Sequence, residues 1–402
     1  MINVSKFISE NITKRDRSMF LADLEKNHDL LINEIKDKSV LVIGGAGTIG
    51  SSYIRALLKY EPSKLYVFDV NENGLTELTR DLRSTYGLKV PDDYKTYPIN
   101  FSDPIFEKIF RREGPFDIVA NFAAHKHVRS EKDIYSVQAL IENNVIKARR
   151  LLDLLVEFPP KHFFCVSTDK AANPVNIMGG SKKIMEEVIM AYSIKYPITT
   201  ARFANVAFSN GSLLAGFIDR LMKSQPFSSP SDVKRYFVSP EESGQICLMA
   251  CVLGKSGDIF FPKLTNEQMM TFSNIADKFL VSLGYEPDYC KSEEEARKKA
   301  LDLNGKIKKY PVYYFKSDTS GEKSFEEFFT EEEIVDNSSF KALGIVKNAP
   351  KRNFEAIDSI IDGLNTVFTK PDLKKEDVVA EMSKFLPNFH HIETGKNLDQ
   401  KM

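Results

Sequence analysis

Four cysteines in 402 residues are too few for a disulfide framework. Cys165 lies in the apolar run HFFCVS, Cys247 and Cys251 stand four apart in QICLMACVLG, and Cys290 sits in a polar stretch. A metal site at Cys247 and Cys251 would need two more ligands, and no nearby His or Cys supplies them. These cysteines read as small buried hydrophobes, and the set fits a reducing, cytoplasmic location. A charge surplus is also missing: 55 Lys+Arg against 56 Asp+Glu leaves a net charge of −1. Nucleic acid as the main partner needs a basic surplus, so that class is disfavoured. No uncharged apolar run reaches the roughly eighteen residues of a membrane helix. The opening MINVSKFISENITKRDRSMF lacks an apolar core and does not read as a signal peptide. What is present is ordinary for a soluble globular protein, with 42% hydrophobic and 28% charged residues.

The chain opens with a polar, helix-rich lead-in over residues 1–38. Short apolar runs then alternate with helical patterns. SVLVI (39–43), LYVFD (65–69), KTYPIN (95–100), FDIVANFA (116–123), KHFFCVS (161–167) and ITTARF (198–203) read as strands. Helical spacing lies between them, around 51–60, 72–85, 103–112, 132–156 and 178–195. Strands joined by helices predict an α/β fold, a doubly wound parallel sheet of the Rossmann kind. We expect this domain over 39–207, with 240–262 returning to it. Residues 208–239 and 263–348 are expected to form a smaller α/β substrate-binding domain, and 349–402 a helical extension. The charged stretch 291–311 reads as a solvated helix.

The turn after the first strand is Gly44-Gly45-Ala46-Gly47-Thr48-Ile49-Gly50. Glycines at 44, 47 and 50 allow a tight turn, close approach of a pyrophosphate, and close helix–sheet packing. The helix opening at Thr48 and Ile49 then offers free N–H groups to phosphates. A strand before and a helix after make this a dinucleotide-binding fingerprint. Asp69 ends the second strand, where a carboxylate accepts from a ribose and repels a 2′-phosphate, so NAD is expected over NADP. Asn100 is placed to meet the adenine. Asn121, Ala123 and Ala124 end the fourth strand and leave room for the cofactor. Ligands in such a sheet bind at the carboxyl ends of the strands. The fifth strand ends at Ser167, followed by Thr168, Asp169 and Lys170: a hydroxyl, an acid and an amine. Met178 and Lys182 stand four apart, on one helix face.

Taken together, VLVIGGAGTIGSS, AAHKHV (123–128), STDKAANPVNIMGGSKKIMEE (167–187), RFANVAFSNGSLLAGF (202–217), KRYFVSPEE (234–242) and SGEKSFEEFFTEEE (320–333) resemble the extended short-chain dehydrogenase/reductase superfamily. More narrowly, they resemble its CapD-like polysaccharide-biosynthesis branch of nucleotide-sugar 4,6-dehydratases. The resemblance runs over roughly residues 39–345. It implies a UDP-N-acetylhexosamine substrate, usually UDP-N-acetylglucosamine, tightly bound NAD and a homo-oligomer. The implied reaction oxidises C4, removes the C5 proton, expels the C6 hydroxyl as water and returns the hydride to C6.

In that scheme Asp169 protonates the leaving hydroxyl. Lys170 removes the C5 proton, its pKa lowered by burial and by cations such as Lys182 or Lys126. Thr168 binds the C4 oxygen, and Lys182 holds the nicotinamide ribose. Lys126 and His127 border the sugar, Asn205 and Ser212 fall at the diphosphate contacts, and Arg235 meets the diphosphate. Glu322 and Lys323 match the family's GEK block. Met178 is a departure: the superfamily has a Tyr base there, and a thioether takes no proton. Some members of the branch share this Met, and Asp169, directly or through Thr168 or water, is the expected C4 base. His390 and His391 read as tail residues, and no metal is expected. A nucleotide-sugar 4- or 5-epimerase on the same fold is the alternative, with a non-catalytic NAD or sugar-nucleotide sensor behind it.

Overall fold

The computed structural model describes residues 3–303, 308–396 and 402. Its centre is a nine-stranded sheet built from β1 (Ser39–Ile43), β2 (Lys64–Phe68), β3 (Asp93–Tyr97), β4 (Ile118–Asn121), β5 (His162–Val166), β6 (Ile198–Ala201), β7 (Ile259–Pro262), β8 (Val335–Asp336) and β9 (Leu343–Val346). In space the order is β8-β9-β7-β6-β5-β4-β1-β2-β3. Strands β1 to β7 run parallel to one another. β1, β2, β4, β5 and β6 bury all but at most one residue each. Their apolar runs are continuous rather than alternating because helices cover both faces. Strand order reverses between β1 and β4, and that switch point is where a doubly wound sheet opens a ligand crevice.

The helix Thr48–Leu58 packs on the helix Pro240–Leu253. A Cβ on Gly244 would collide with the Ser52 carbonyl, so glycine sets how closely these helices approach. After this helix the chain enters β7, which pairs parallel with β6.

Residues 335–346 depart from the expected boundaries. The sequence puts them with the substrate unit, but β9 pairs antiparallel with β7 and with β8. The run Leu343–Val346 is fully buried, and it covers an edge that would otherwise leave ladder groups unpaired. Gly344 makes this possible, since the Phe261 ring occupies the space of its missing Cβ.

A second core gathers Phe217, Phe227, Phe237, Phe279, Tyr310 and Val312. It surrounds a parallel three-stranded sheet of Glu286–Tyr289, Lys309–Phe315 and Phe227–Pro230. The lead-in is split between the cores: Phe7, Ile8 and Ile12 join the second, while Phe20, Leu31 and Ile35 join the first. The charged stretch expected as one helix contains the helix Glu293–Ala300, then the start of the strand Lys309–Phe315; residues 304–307 lie outside the described residues.

The C-terminal helices Phe354–Phe368 and Lys375–Phe385 lie on the helix Ile177–Ala191. Met382 and Phe389 occupy the space a Cβ on Gly180 would need. Tyr192 and Phe354 meet edge-on at 5.0 Å.

Candidate active site

The glycine turn crosses the switch point. Gly44 has φ +74°, and a Cβ there would come within 2.6 Å of the Ala123 nitrogen, so only glycine holds this position. Gly50 packs onto the Gly44 carbonyl, where a Cβ would collide. A Cβ on Gly47 would meet only the Gly44 carbonyl oxygen, at 3.5 Å, so the missing side chain leaves space above the turn. No side chain caps the helix that starts at Thr48, which leaves its first N–H groups for another acceptor. The turn therefore fits the diphosphate of a dinucleotide. Asp69 braces it: Oδ2 accepts from Ala46 N at 3.0 Å and Oδ1 from Asn71 N at 2.9 Å. Asn121 is buried, and its side chain accepts from Ala123 N; Ala124 follows, half-buried. Asn100 uses its carbonyl oxygen locally, accepting from Ser102 N and Oγ.

At the carboxyl end of β5, Thr168 Oγ1 donates to Asp169 Oδ1 at 2.9 Å, and Lys170 Nζ donates to the same oxygen at 3.1 Å. Asp169 is buried and Lys170 nearly so. The helix Ile177–Ala191 begins beside them, capped by Asn176, whose Oδ1 accepts from Gly179 N at 2.7 Å. Met178 is buried, and its N–H donates to Glu131 Oε1 at 2.9 Å. Lys182 Nζ donates to the Val166 carbonyl at 2.7 Å, and burial lowers its pKa.

The expected lowering of the Lys170 pKa is overturned. Burial works in that direction, but Asp169 and then Glu326 outweigh it and raise the value. Glu326 Oε1 lies 3.8 Å from Lys170 Nζ and 3.7 Å from Arg235 NH2. Burial raises the carboxyl pKa of both Glu326 and Glu322. Sequence reasoning missed Glu326 because it sits in the charged run FEEFFTEEE. The available signal was alternation, since Glu326 and Phe328 are buried while Phe325 and Phe329 are exposed.

Arg235, expected at the diphosphate, is buried and holds protein acceptors. NH2 donates to Glu322 Oε1 at 2.9 Å, and NH1 donates to the Lys234 and Lys323 carbonyls. At the opposite rim, Lys126 Nζ donates to the Asn210 carbonyl at 3.0 Å, and Asn210 N donates to Thr48 Oγ1 at 2.9 Å. This loop links the glycine turn to the second unit. His127 lies against Gly211. Asn205 pairs through its backbone with Tyr236. The Ser212 hydroxyl caps the helix Leu213–Met222.

His391, read as a tail residue, is half-buried, with Nε2 3.3 Å from Glu131 Oε2. Ile392 N donates to the Val175 carbonyl, and Gly321 N donates to the Ile392 carbonyl. The tail thus ties the Lys170 side of the site to the Glu322 side. Among the described residues, no group of three or more His, Cys, Asp or Glu could hold a metal ion, and no helix is long and apolar enough to cross a membrane.

Residues 40–348 match the family model described as polysaccharide biosynthesis protein. A Methanocaldococcus jannaschii protein named an uncharacterized membrane protein is 29% identical over 322 residues, covering 78% of this chain and 87% of that one. The capsular polysaccharide biosynthesis protein CapD of Staphylococcus aureus is 26% identical over 379 residues. That match covers 93% of this chain but only 57% of CapD. An inverting UDP-N-acetylglucosamine 4,6-dehydratase of Campylobacter jejuni is 25% identical over 258 residues, or 62% of this chain and 72% of that one. Among solved structures, Pen from Bacillus thuringiensis has a similar fold, with TM-score 0.64 and 20% identity over 79% of this chain and 90% of that one. With the match spanning most of its length, the chain belongs to the polysaccharide biosynthesis protein family of extended short-chain dehydrogenases/reductases.

Proposed function

We propose that this chain is an NAD-dependent nucleotide-sugar 4,6-dehydratase, acting on UDP-N-acetylglucosamine or a related UDP-N-acetylhexosamine for polysaccharide or glycan biosynthesis. The observation that carries this reading is the linked hydroxyl, carboxyl and amine of Thr168, Asp169 and Lys170 at the end of β5. Elimination needs an acid for the departing hydroxyl and a base for the carbon-bound proton; epimerisation at C4 needs no such acid. The Campylobacter jejuni relative's name supports the same class.

Bound NAD supplies a reversible hydride acceptor. Gly44, Gly47 and Gly50 would admit its diphosphate, Asp69 would meet the ribose and Asn100 the adenine. Lys182 spends one donor on Val166 and one on Met185, which leaves a third N–H for the nicotinamide ribose. Thr168 binds the C4 oxygen. Asp169 takes the C4 hydroxyl proton, then hands it to the C6 hydroxyl, which leaves as water. Lys170 removes the C5 proton and later returns it. The water released therefore consists of the C6 hydroxyl and the C4 hydroxyl proton, and no outside oxidant is consumed. Met178 moves no proton and packs beside the reacting ring. Lys126, His127, Asn205 and Ser212 would border the UDP-sugar. Arg235 would reach the diphosphate by exchanging its bond to Glu322.

Incubation with UDP-N-acetylglucosamine followed by NMR of the product tests this. A 4-keto-6-deoxy sugar nucleotide is expected; an unchanged or epimerised sugar would refute it. Denaturing the purified protein should release mainly NAD, and recovery of mainly NADP would sink the role given to Asp69.

A further inference from the structure

We propose that Glu326 takes the proton from Lys170 and so readies the amine for the C5 step. The inference rests on the dehydratase reading above. A base at C5 must be a neutral amine, yet Lys170 lies between two carboxyls, Asp169 at 3.1 Å and Glu326 at 3.8 Å. Both stabilise the ammonium form. Asp169 is committed to the proton that travels from C4 to C6. The Lys170 proton needs another destination, and Glu326 approaches the same nitrogen while only 4% exposed.

The charges around Glu326 favour this exchange. Asp169 faces it from the end of β5, Lys170 follows, and Arg235 reaches it from the strand Lys234–Arg235. Glu322 grips Arg235 at 2.9 Å, and Lys323 acts on Glu326 from its own segment. The side chains in direct contact are three carboxyls, Asp169, Glu322 and Glu326, against two cations, Lys170 and Arg235. Arg235 is shared between two glutamates, so Glu326 is left under-neutralised, and burial raises its proton affinity. In the transfer an N–H bond of the Lys170 ammonium breaks and an O–H bond forms on Glu326. Two buried charges vanish while the net charge of the cluster is unchanged. The 3.8 Å separation closes by a small side-chain movement, as catalytic hydrogen bonds commonly tighten when substrate binds. Glu326 acts through Lys170 and is a positioning residue.

The test is the pH dependence of kcat in wild type, Glu326→Gln and Glu326→Asp. In wild type the proton moves within the pair, so kcat should be nearly flat between about pH 7 and 9. In Glu326→Gln the Lys170 proton must leave to solvent. That variant should be about 10²-fold slower at pH 7 and gain about tenfold per pH unit across the same range. Reduced nicotinamide should accumulate in it, seen by near-ultraviolet absorbance, because C4 oxidation does not need Glu326. Glu326→Asp retains a carboxyl and should keep a flat profile at lower rate; it also serves if the Gln variant does not fold. A Gln profile parallel to wild type, or a sloping Asp profile, overturns the proposal. A wild type that releases no water from the substrate fails the dehydratase reading itself, which is a separate result.

Discussion

Two buried charge clusters meet at the residues that follow β5, and they are neutralised to different degrees. Behind the site, Arg202 is fully buried and bidentate on both sides, donating to Glu186 at 2.8 and 3.0 Å and to Glu333 at 2.7 and 2.8 Å. Ser167 Oγ adds a bond to Glu186 at 2.6 Å, and Lys183 balances the count. Despite burial, these partners hold the Glu186 carboxyl below its ordinary pKa. In front, the ion pairs of Asp169, Glu322 and Glu326 among the described residues go to Lys170 and Arg235, with two of the contacts near 3.7–3.8 Å. There burial wins, and both glutamates are pushed up. Paired, hydrogen-bonded charges hold structure; an under-neutralised set keeps a proton that can move.

The comparison breaks most visibly at Arg202. Arg202→Ala strands two buried carboxylates and should cost about 3–5 kcal/mol of stability, read from urea unfolding. Near-wild-type unfolding would show that the rear cluster carries little. In front, Lys170→Ala should lower the unfolding midpoint less than Arg202→Ala, because Glu326 with its raised pKa can take up a proton, while reducing turnover roughly 10²–10⁴-fold. Turnover within a few-fold of wild type would remove Lys170 from the C5 step.

The two clusters should also respond to pH with opposite sign. Glu186 has a lowered folded pKa, so its stabilisation is present above the unfolded value of about 4.3 and is lost as pH falls through the folded value. Glu326 has a raised folded pKa, so its contribution is present below about 4.3 and is lost as pH rises through the folded value. At neutral pH, Glu186→Gln should therefore lower the urea midpoint and Glu326→Gln should raise it. Both differences should shrink on acidification; shifts of the same sign at neutral pH would erase the distinction.

The smallest effect is expected at Met178, which touches neither cluster through a charged group. Met178→Leu conserves volume and should cost under about 1.5 kcal/mol. Met178→Tyr should bring no gain in rate. A clear acceleration would mean that the chain lacks an effective C4 base and that Asp169 does not fill that role.

The sheet was more legible in the sequence than the pairing of either charge cluster, and the residues of the rear cluster carried no signal that singled them out. β1, β2, β4 and β5 announce themselves as largely apolar runs, and the glycine turn stands where strand meets helix. β9 does not, because a four-residue run containing Gly344 carries no pattern of its own and is defined by pairing with β7, about eighty residues earlier. Thr168, Asp169 and Lys170 could be found by their place after a strand. The raised pKa of Lys170 could not, since the second carboxylate that raises it lies 156 residues further on, at Glu326. His391 was hidden for the same reason: a polar tail gives no sign that it will return to Glu131.

The most direct test of the account uses UDP-N-acetylglucosamine deuterated at C4, with the product read by mass spectrometry and NMR. The account predicts a product lighter by one water, with the deuterium now on C6. A product of unchanged mass, with deuterium returned to C4, would contradict it.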